Sequence, residues 1–400
     1  MLRKITSIDF QSNNNTSQCV LIRVDYNVPV ENEMVTDDYR ILKSLPTIKY
    51  CLDEGAKNVL MSHRGRPGGK KDTSLSLMPA GEKLAQLLEM PIKFSHDCIS
   101  EDAIDVSRNL KSGEIHLLEN LRFYDEEANN DPLFASKLAQ HGSIYLNDAF
   151  GTAHRDHASN SGVTKYFTTK GMGLLVEKEM EFLSDGILKA KSPITLIIGG
   201  AKIDTKINVI NHFFDIADNI LVGGAMANTF LAASKYDMGK SLVQKEEIET
   251  AKKLMLKASK SKTRIILPID FNGELNTFGS GKLQYATKDN IKKSMICEDI
   301  GEETISLFSN IIKLSKTVYW NGTVGVAENE SFANGTNKII DAILESEIES
   351  VVGGGDTVAA IRNYKKGLIE DFSHASTGGG SCLELLSGKK LPAIEMLRKR

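Results

Sequence analysis

The sequence predicts an α/β protein built from two doubly wound, largely parallel sheets. Three observations carry that expectation. The chain has 400 residues, 41% of them hydrophobic and 25% charged, which is too long for one ordinary core and apolar enough to fill two. Short runs rich in Val, Ile and Leu alternate throughout with longer segments of helical period, the pattern of parallel strands joined by crossover helices. The residues that follow those runs also differ between the halves, charged in the first and glycine in the second.

In the first half the expected strands are 19–24, 58–62, 115–118 and 144–146; in the second they are 194–198, 220–222, 264–267, 318–320 and 350–352. Parallel sheets gather ligands beyond the carboxyl ends of their strands. The first-half strands end in Asp25 and Asn27, in residues 63–66, in 119–122 and in 148–157. The second-half strands end in Gly199-Gly200, Gly223-Gly224, Gly322 and Gly353-Gly354-Gly355. The boundary is expected near 171–173. Residues 174–188 carry apolar side chains at 174, 175, 176, 180, 183 and 187, a helical spacing, so the connector reads as a helix. The resulting division is 1–172, a helix over 173–189, 190–380, and a final segment 381–400.

Composition excludes several function classes. A net charge of −3 gives no footprint for nucleic acid or an anionic membrane. No apolar run reaches bilayer length, and residues 1–17 lack the apolar core of a signal peptide, so a cytoplasmic protein is expected. Cys19, Cys51, Cys98, Cys297 and Cys382 are odd in number, widely spaced and read as reduced thiols.

Eight of the twelve arginines fall in the first 200 residues, and Arg23, Arg40, Arg64, Arg66, Arg122 and Arg155 sit in or beside short motifs near expected strand ends. Guanidinium forks suit carboxylate and phosphate, so this half is expected to hold a small polyanion. Each motif also has a plainer reading. Arg23, Asp25 and Asn27 share one face of an extended segment, as a solvated edge would. The glycines and proline of 62–69 suit any surface loop. His154 and His157, three apart, could suggest a metal, but no third ligand is spaced to join them, and a supporting or core role fits both better.

The second half offers backbone N–H groups at helix starts, which bind phosphate. Gly199-Gly200 precedes an expected helix that would carry Lys202 and Lys206 on one face. Asp356, after three glycines, is either a cap or a Mg²⁺ ligand. Gly378, Gly379 and Gly380 form another row of free N–H groups. No P-loop and no G-x-G-x-x-G fingerprint is present; Gly279-Ser280-Gly281-Lys282 lacks the flanking residues of the former.

Taken in order, the motifs RVDYNVP (23–29), SHRGRP (62–67), LENLR (118–122), DAFGTAHR (148–155), GGAK (199–202), WNG (320–322), GGGDT (353–357) and STGGG (376–380) resemble the phosphoglycerate kinases from about Ile22 to Leu397. The resemblance implies two α/β domains facing each other across a cleft. The first would hold 3-phosphoglycerate or 1,3-bisphosphoglycerate through Asp25, Tyr26, Asn27, Arg40, His63, Arg64, Gly65, Arg66, Arg122 and Arg155. The second would hold Mg-ADP or Mg-ATP through Gly200, Ala201, Lys202, Lys206, Gly223, Gly224, Asn321, Glu328, Gly354, Gly355, Asp356 and Thr357, with Glu328 on the ribose and Asp356 on the metal. Arg40, Lys206, Gly378 and Gly379 would serve the phosphoryl in transfer. A monomer, closing on its ligands, is the family expectation, with the final residues returning to the first domain. The acceptor is a carboxylate, so no general base is needed, and the absence of a nucleophile–base pair agrees. Three positions depart from the family's usual residues: Arg64 for an aliphatic residue, Thr323 for Pro and Ala327 for Phe. A non-catalytic relative and a kinase of another acceptor are the competing readings. The retained Arg40, Lys206 and Asp356 oppose the former, and the five positions Arg40, His63, Arg66, Arg122 and Arg155 oppose the latter.

Overall fold

A computed structural model describes residues 2–11, 17–364 and 368–398. The chain divides into two compact units, Met1–Glu181 with Lys390–Arg400, and Phe182–Lys389. Each unit is built on one six-stranded sheet that is parallel throughout.

In the first unit the strands are β1 (Cys19–Arg23), β2 (Lys57–Met61), β3 (Lys93–Ser95), β4 (Ile115–Leu118), β5 (Ile144–Asn147) and β6 (Thr169–Met172), in the spatial order β3-β4-β2-β1-β5-β6. β1 lies at the centre, Ile22 opposite Leu60 on one side and Leu146 on the other. β4 and β5 are buried along their whole length, which is why they read in sequence as unbroken apolar runs. Val20, Ile22, Leu60, Ile115, Leu117, Ile144 and Leu146 belong to one core cluster with Tyr26 and Ile41. The order reverses around β1, the topological switch point at which ligands collect in such sheets. β3 and β6 were not expected: KFS and TKGM are short, polar and carry no apolar run to mark them.

In the second unit the sheet runs β9-β8-β7-β13-β14-β15. Its strands are β7 (Ile194–Ile198), β8 (Asn219–Val222), β9 (Arg264–Ile266), β13 (Thr317–Asn321), β14 (Glu349–Gly353) and β15 (His374–Ala375). A three-stranded antiparallel sheet, β10 (Asp270–Leu275), β11 (Leu283–Thr287) and β12 (Met295–Ile300), is inserted between β9 and β13, with β10 central. This sheet was not anticipated. Its register shifts between Asn272 and Gly273, where a Cβ would lie 1.9 Å from the Ile296 carbonyl oxygen, so a glycine interrupts the alternation that marks a strand.

The connector helix forms, but not as one element. An α-helical Leu174–Met180 passes into a wider π-turn at Glu181–Asp185 and then into Gly186–Lys189. The division between the units falls inside the π-turn. The helix starts where it does because Asp148, just beyond β5, accepts from the N–H groups of Leu175 (3.0 Å) and Val176 (3.4 Å). Near the other end of the chain, the stretch up to Lys389 stays with the second unit. The final residues rejoin the first, where Ala393 N donates to the Ala153 carbonyl (3.1 Å) and Leu2 bridges Arg398.

Candidate active site

In the first unit, the ends of β1, β2, β4 and β5 bring the expected basic motifs to one place. His63 is buried, 3% exposed, and its imidazole is held well below its usual pKa by burial and by the guanidinium groups of Arg23, Arg122, Arg40 and Arg155. His63 is therefore neutral at physiological pH and marks a region of dense positive charge. The nearest carboxylate is Asp25, whose Oδ1 lies 4.0 Å from His63 Nδ1 and whose Oδ2 lies 2.6 Å from Arg40 Nη1. Asn27 fixes the next loop by accepting from Gly65 N (2.9 Å), and Gly65 returns its carbonyl to Arg122 Nη1 (2.7 Å). Arg122 is pushed down to about 10 by burial and by Arg155 and Arg23. Arg155 is half-buried; Arg66 is exposed, with no hydrogen-bond partner among the described residues.

Three members of the expected set do other work. Arg23 was grouped with the anion-holding arginines, yet it is wholly buried. It donates to Ser159 Oγ (2.8 Å) and the Val24 carbonyl, and it meets His63 Nδ1 at 3.2 Å. Ser159 in turn donates its N–H and hydroxyl to the fully buried Glu127 (2.9 and 2.6 Å), so the cation is balanced inside the protein. Arg64 spends its guanidinium on the carbonyls of Ser74 (2.9 Å) and Ser76 (3.0 Å), clamping its own loop. Tyr26 turns its ring into the core, with its hydroxyl 3.0 Å from Ser44 Oγ, so only its backbone could meet a ligand.

Asn120, which sequence reasoning did not single out, holds two of the arginine loops together. Its Oδ1 accepts from Arg64 N and Arg122 N, both at 3.1 Å, and its Nδ2 donates to Arg64 O (2.7 Å) and Leu75 O (2.9 Å). Its position in LENLR was the available signal, but nothing in the spacing said which neighbours it would tie. His157 lies 3.8 Å from Glu127 and is depressed to about 4 by burial and the same arginines, so it too is neutral.

In the second unit, the glycine turns after β7, β8, β13 and β14 line or support a cavity of about 480 Å³. Its wall includes Gly200, Ala201, Gly224, Ala225, Cys297, Glu298, Thr323, Val326, Ala327, Glu328 and Asp356. Several glycines are required because turn packs on turn. Gly224, at φ +63°, would place a Cβ 2.7 Å from Gly200 N, and a Cβ at Gly223 would meet Val324 at 2.6 Å. Gly200 N donates to Thr323 O (2.9 Å) and Met226 N to Gly200 O (3.0 Å), which fixes the loops against each other.

Lys206 does not share a helix with Lys202. The helix starts at Ile207, because the N–H groups before it are engaged elsewhere: Thr205 N donates to Asp204 Oδ1 (2.8 Å) and Ile203 N to the distant Gln244 Oε1 (2.6 Å). Lys202 is left exposed, while Lys206 at the helix cap is buried, and burial lowers it to about 8 against the attraction of Asp356. Its ammonium donates to Asn321 O (3.0 Å) and Oδ1 (2.5 Å). The Asn321 Nδ2 group is buried with no acceptor among the described residues. Asp356 and Glu328 are exposed on the cavity wall. Thr357 is fully buried and its hydroxyl accepts from Gly322 N (2.7 Å), so its side chain supports the turn after β13. Gly378 N is engaged by Ser376 Oγ (3.2 Å), whereas Gly379, opening the helix Gly379–Leu386, has open space on its Cβ side. Cys297 and Glu298 were not foreseen; two acidic residues follow Cys297 in an otherwise apolar strand, and alternation alone does not say that they turn inward.

A basic cluster at the strand ends of one unit and a glycine-lined cavity at those of the other fit a family whose model, described as phosphoglycerate kinase, matches residues 10–389. The chain belongs to the phosphoglycerate kinase family. A phosphoglycerate kinase of Dictyoglomus turgidum is 43% identical over 400 residues, covering 100% of both chains. One of Prosthecochloris aestuarii is 43% identical over 382 residues, 94% of this chain and 96% of that one. Among solved structures, phosphoglycerate kinase from Coxiella burnetii is 33% identical, with a TM-score of 0.88 over 99% of each chain. Of the three departures from the family's usual residues, Arg64 becomes a loop clamp, Thr323 keeps its turn closed through its carbonyl, and Ala327 leaves only a methyl group on the cavity wall.

Proposed function

We infer that the chain transfers a phosphoryl group reversibly between 1,3-bisphosphoglycerate and ADP, giving 3-phosphoglycerate and ATP. The observation that carries this reading is the first-unit basic cluster. Arg40, Arg122 and Arg155 act on one neutral imidazole with Asp25 their near carboxylate, Arg23 being balanced by Glu127 through Ser159, and this excess of fixed positive charge suits a small molecule bearing both a carboxylate and a phosphate. Asp25, Asn27, Arg40, His63, Arg66, Arg122 and Arg155 are assigned to that acid. Lys202, Lys206, Asn321, Glu328 and Asp356, with the backbone at Gly200, Ala201, Gly354 and Gly355, are assigned to the nucleotide.

The acceptor carboxylate is already ionised, so the protein need not remove a proton. Its task is in-line positioning and neutralisation of the charge on the transferring group. Lys206, charged below about pH 8, and the N–H of Gly379 are the second unit's contribution, and Arg40 is the first's. The unsatisfied Asn321 Nδ2 supports the assignment, because a phosphate oxygen would supply the acceptor it lacks.

The residues present also fit Mg²⁺. Asp356 is a hard oxygen donor on the cavity wall, and Mg²⁺ takes most of its remaining oxygens from phosphates and water. When bound, Mg²⁺ would offset phosphate charge. A monomer in the cytoplasm completes the proposal; among the described residues no helix is long and apolar enough to cross a membrane.

The test is ATP consumption by the purified protein with Mg²⁺, coupled through glyceraldehyde-phosphate dehydrogenase and NADH. The expected result is turnover that depends strictly on 3-phosphoglycerate. A folded protein that binds Mg-ADP yet shows no turnover would mark a non-catalytic relative instead.

A further inference from the structure

One group on the cavity wall has no part in phosphoryl transfer. Glu298, within β12, is 6% exposed, and neither carboxylate oxygen has a hydrogen-bond partner among the described residues. The carboxylates nearest it in the antiparallel sheet are satisfied. Asp299 accepts from Gly335 N (2.8 Å) and Ile300 N (2.9 Å), and Glu274 accepts from Ser280 N (3.0 Å) and Gly281 N (2.9 Å). No Lys, Arg or His pairs with Glu298 among the described residues; the charge acting on it is that of Glu274. A buried carboxylate left without donors is costly, so a ligand able to supply two would gain what the protein does not provide.

The surroundings say what kind of ligand that is. Ala225, Val326, Ala327 and Ala359 make the adjoining wall small and apolar, suited to a flat ring. A carboxylate presents two adjacent acceptors and no donor. Guanine presents two adjacent donors on one edge, the ring N1–H and the 2-amino group. Adenine presents there one donor, the 6-amino group, and one acceptor, the ring N1.

We propose that Glu298 reads the nucleobase, accepting two hydrogen bonds from the donor edge of guanine, so that this cavity takes GDP and GTP alongside ADP and ATP and holds the guanine nucleotides more tightly. The proposal rests on reading the cavity as the nucleotide site, and it deepens that reading. The titratable groups facing Glu298 are Glu274 on β10 and Cys297 beside it, with Glu328 and Asp356 on other parts of the wall. Burial and Glu274 push its carboxyl up to about 7, so the doubly accepting form is the main one at pH 8.

The test is calorimetric titration of the full chain at pH 8 with Mg²⁺ and GDP, IDP or ADP. For the wild type, GDP is expected to bind on the order of tenfold more tightly than ADP, the scale of one good bidentate pair. IDP, which keeps N1–H but lacks the 2-amino group, should fall between them. Glu298→Gln offers one acceptor and one donor, the match for adenine, and should bring ADP level with GDP or ahead of it. Glu298→Leu should keep ADP binding and lose the guanine preference. A wild type that binds ADP as tightly as GDP overturns the proposal, and so does a preference that survives both substitutions. A folded wild type that binds none of the three overturns the nucleotide reading of the cavity, and this proposal with it.

Discussion

Arg40→Ala separates the handling of charge in the reaction from the stability of the fold. Arg40 Nη1 is 2.6 Å from Asp25 Oδ2, but the Arg40 side chain is 34% exposed and that of Asp25 only 7%. Water reaches one partner, so the pair is screened, and removing the guanidinium should cost about 1–2 kcal/mol of stability. In a chain of this size that lowers the melting temperature by several degrees. If Arg40 neutralises charge on the transferring phosphoryl, its loss should instead lower turnover by roughly 10³–10⁵, about 4–7 kcal/mol of barrier. The two figures differ enough to decide the role. The measurements are kcat at saturating ATP and 3-phosphoglycerate at 25 °C, and the melting temperature of the same preparation. Arg40→Lys, which keeps the charge but not the planar fork, should recover part of the rate. A loss of less than tenfold in kcat, with a melting temperature that falls as forecast, would refute the assignment and leave Arg40 as a surface partner of Asp25.

Arg64→Leu should behave in the opposite way. It removes two charge-assisted hydrogen bonds to the carbonyls of Ser74 and Ser76, a loss of roughly 2–4 kcal/mol, and should leave KM for 3-phosphoglycerate within about twofold; a KM raised severalfold at unchanged melting temperature would return Arg64 to the ligand. Asp148→Asn tests the cap of the connector helix. Burial pushes the Asp148 carboxyl up to about 7, against about 3.9 in an unfolded chain. Below about pH 4 the group is protonated in both states; between 4 and 7 the unfolded chain gives up the proton while the folded chain keeps it, so stability falls as pH rises, by about 4 kcal/mol in all. Chemical denaturation of wild type and variant from pH 4 to 7.5 should show that slope flattened by Asp148→Asn, and parallel curves would rule it out.

What could be read in advance, and what could not, follows from which physical signals survive in one dimension. A parallel strand covered on both faces needs apolar side chains at every position, so β1, β4, β5, β7, β8 and β13 stand out as runs, and the residues after them mark strand ends. That is enough to collect His63, Arg122, Lys206 and Asp356 at the ends of their two sheets. It does not say where a side chain goes once it arrives. Arg64 and Arg66 differ by two positions in one loop; one is tied to carbonyl groups and the other stands in solvent. Arg23 shares a face with Asp25 by spacing, yet its charge is balanced by Glu127 through Ser159, a partner more than a hundred residues along the chain. Glu298 is the extreme case. In the sequence it is one of two adjacent acids in an otherwise apolar strand. Only the folded chain reveals that it is buried, that its neighbours have partners, and that it has none among the described residues. Charge type and period foretell which residues are brought to a site, whereas each side chain's role depends on hydrogen-bond partners that lie far apart in sequence. The residues whose hydrogen bonds differ from what spacing suggests are therefore those whose partners come from another loop, and the group that spacing does not mark is one that lacks a partner among the described residues.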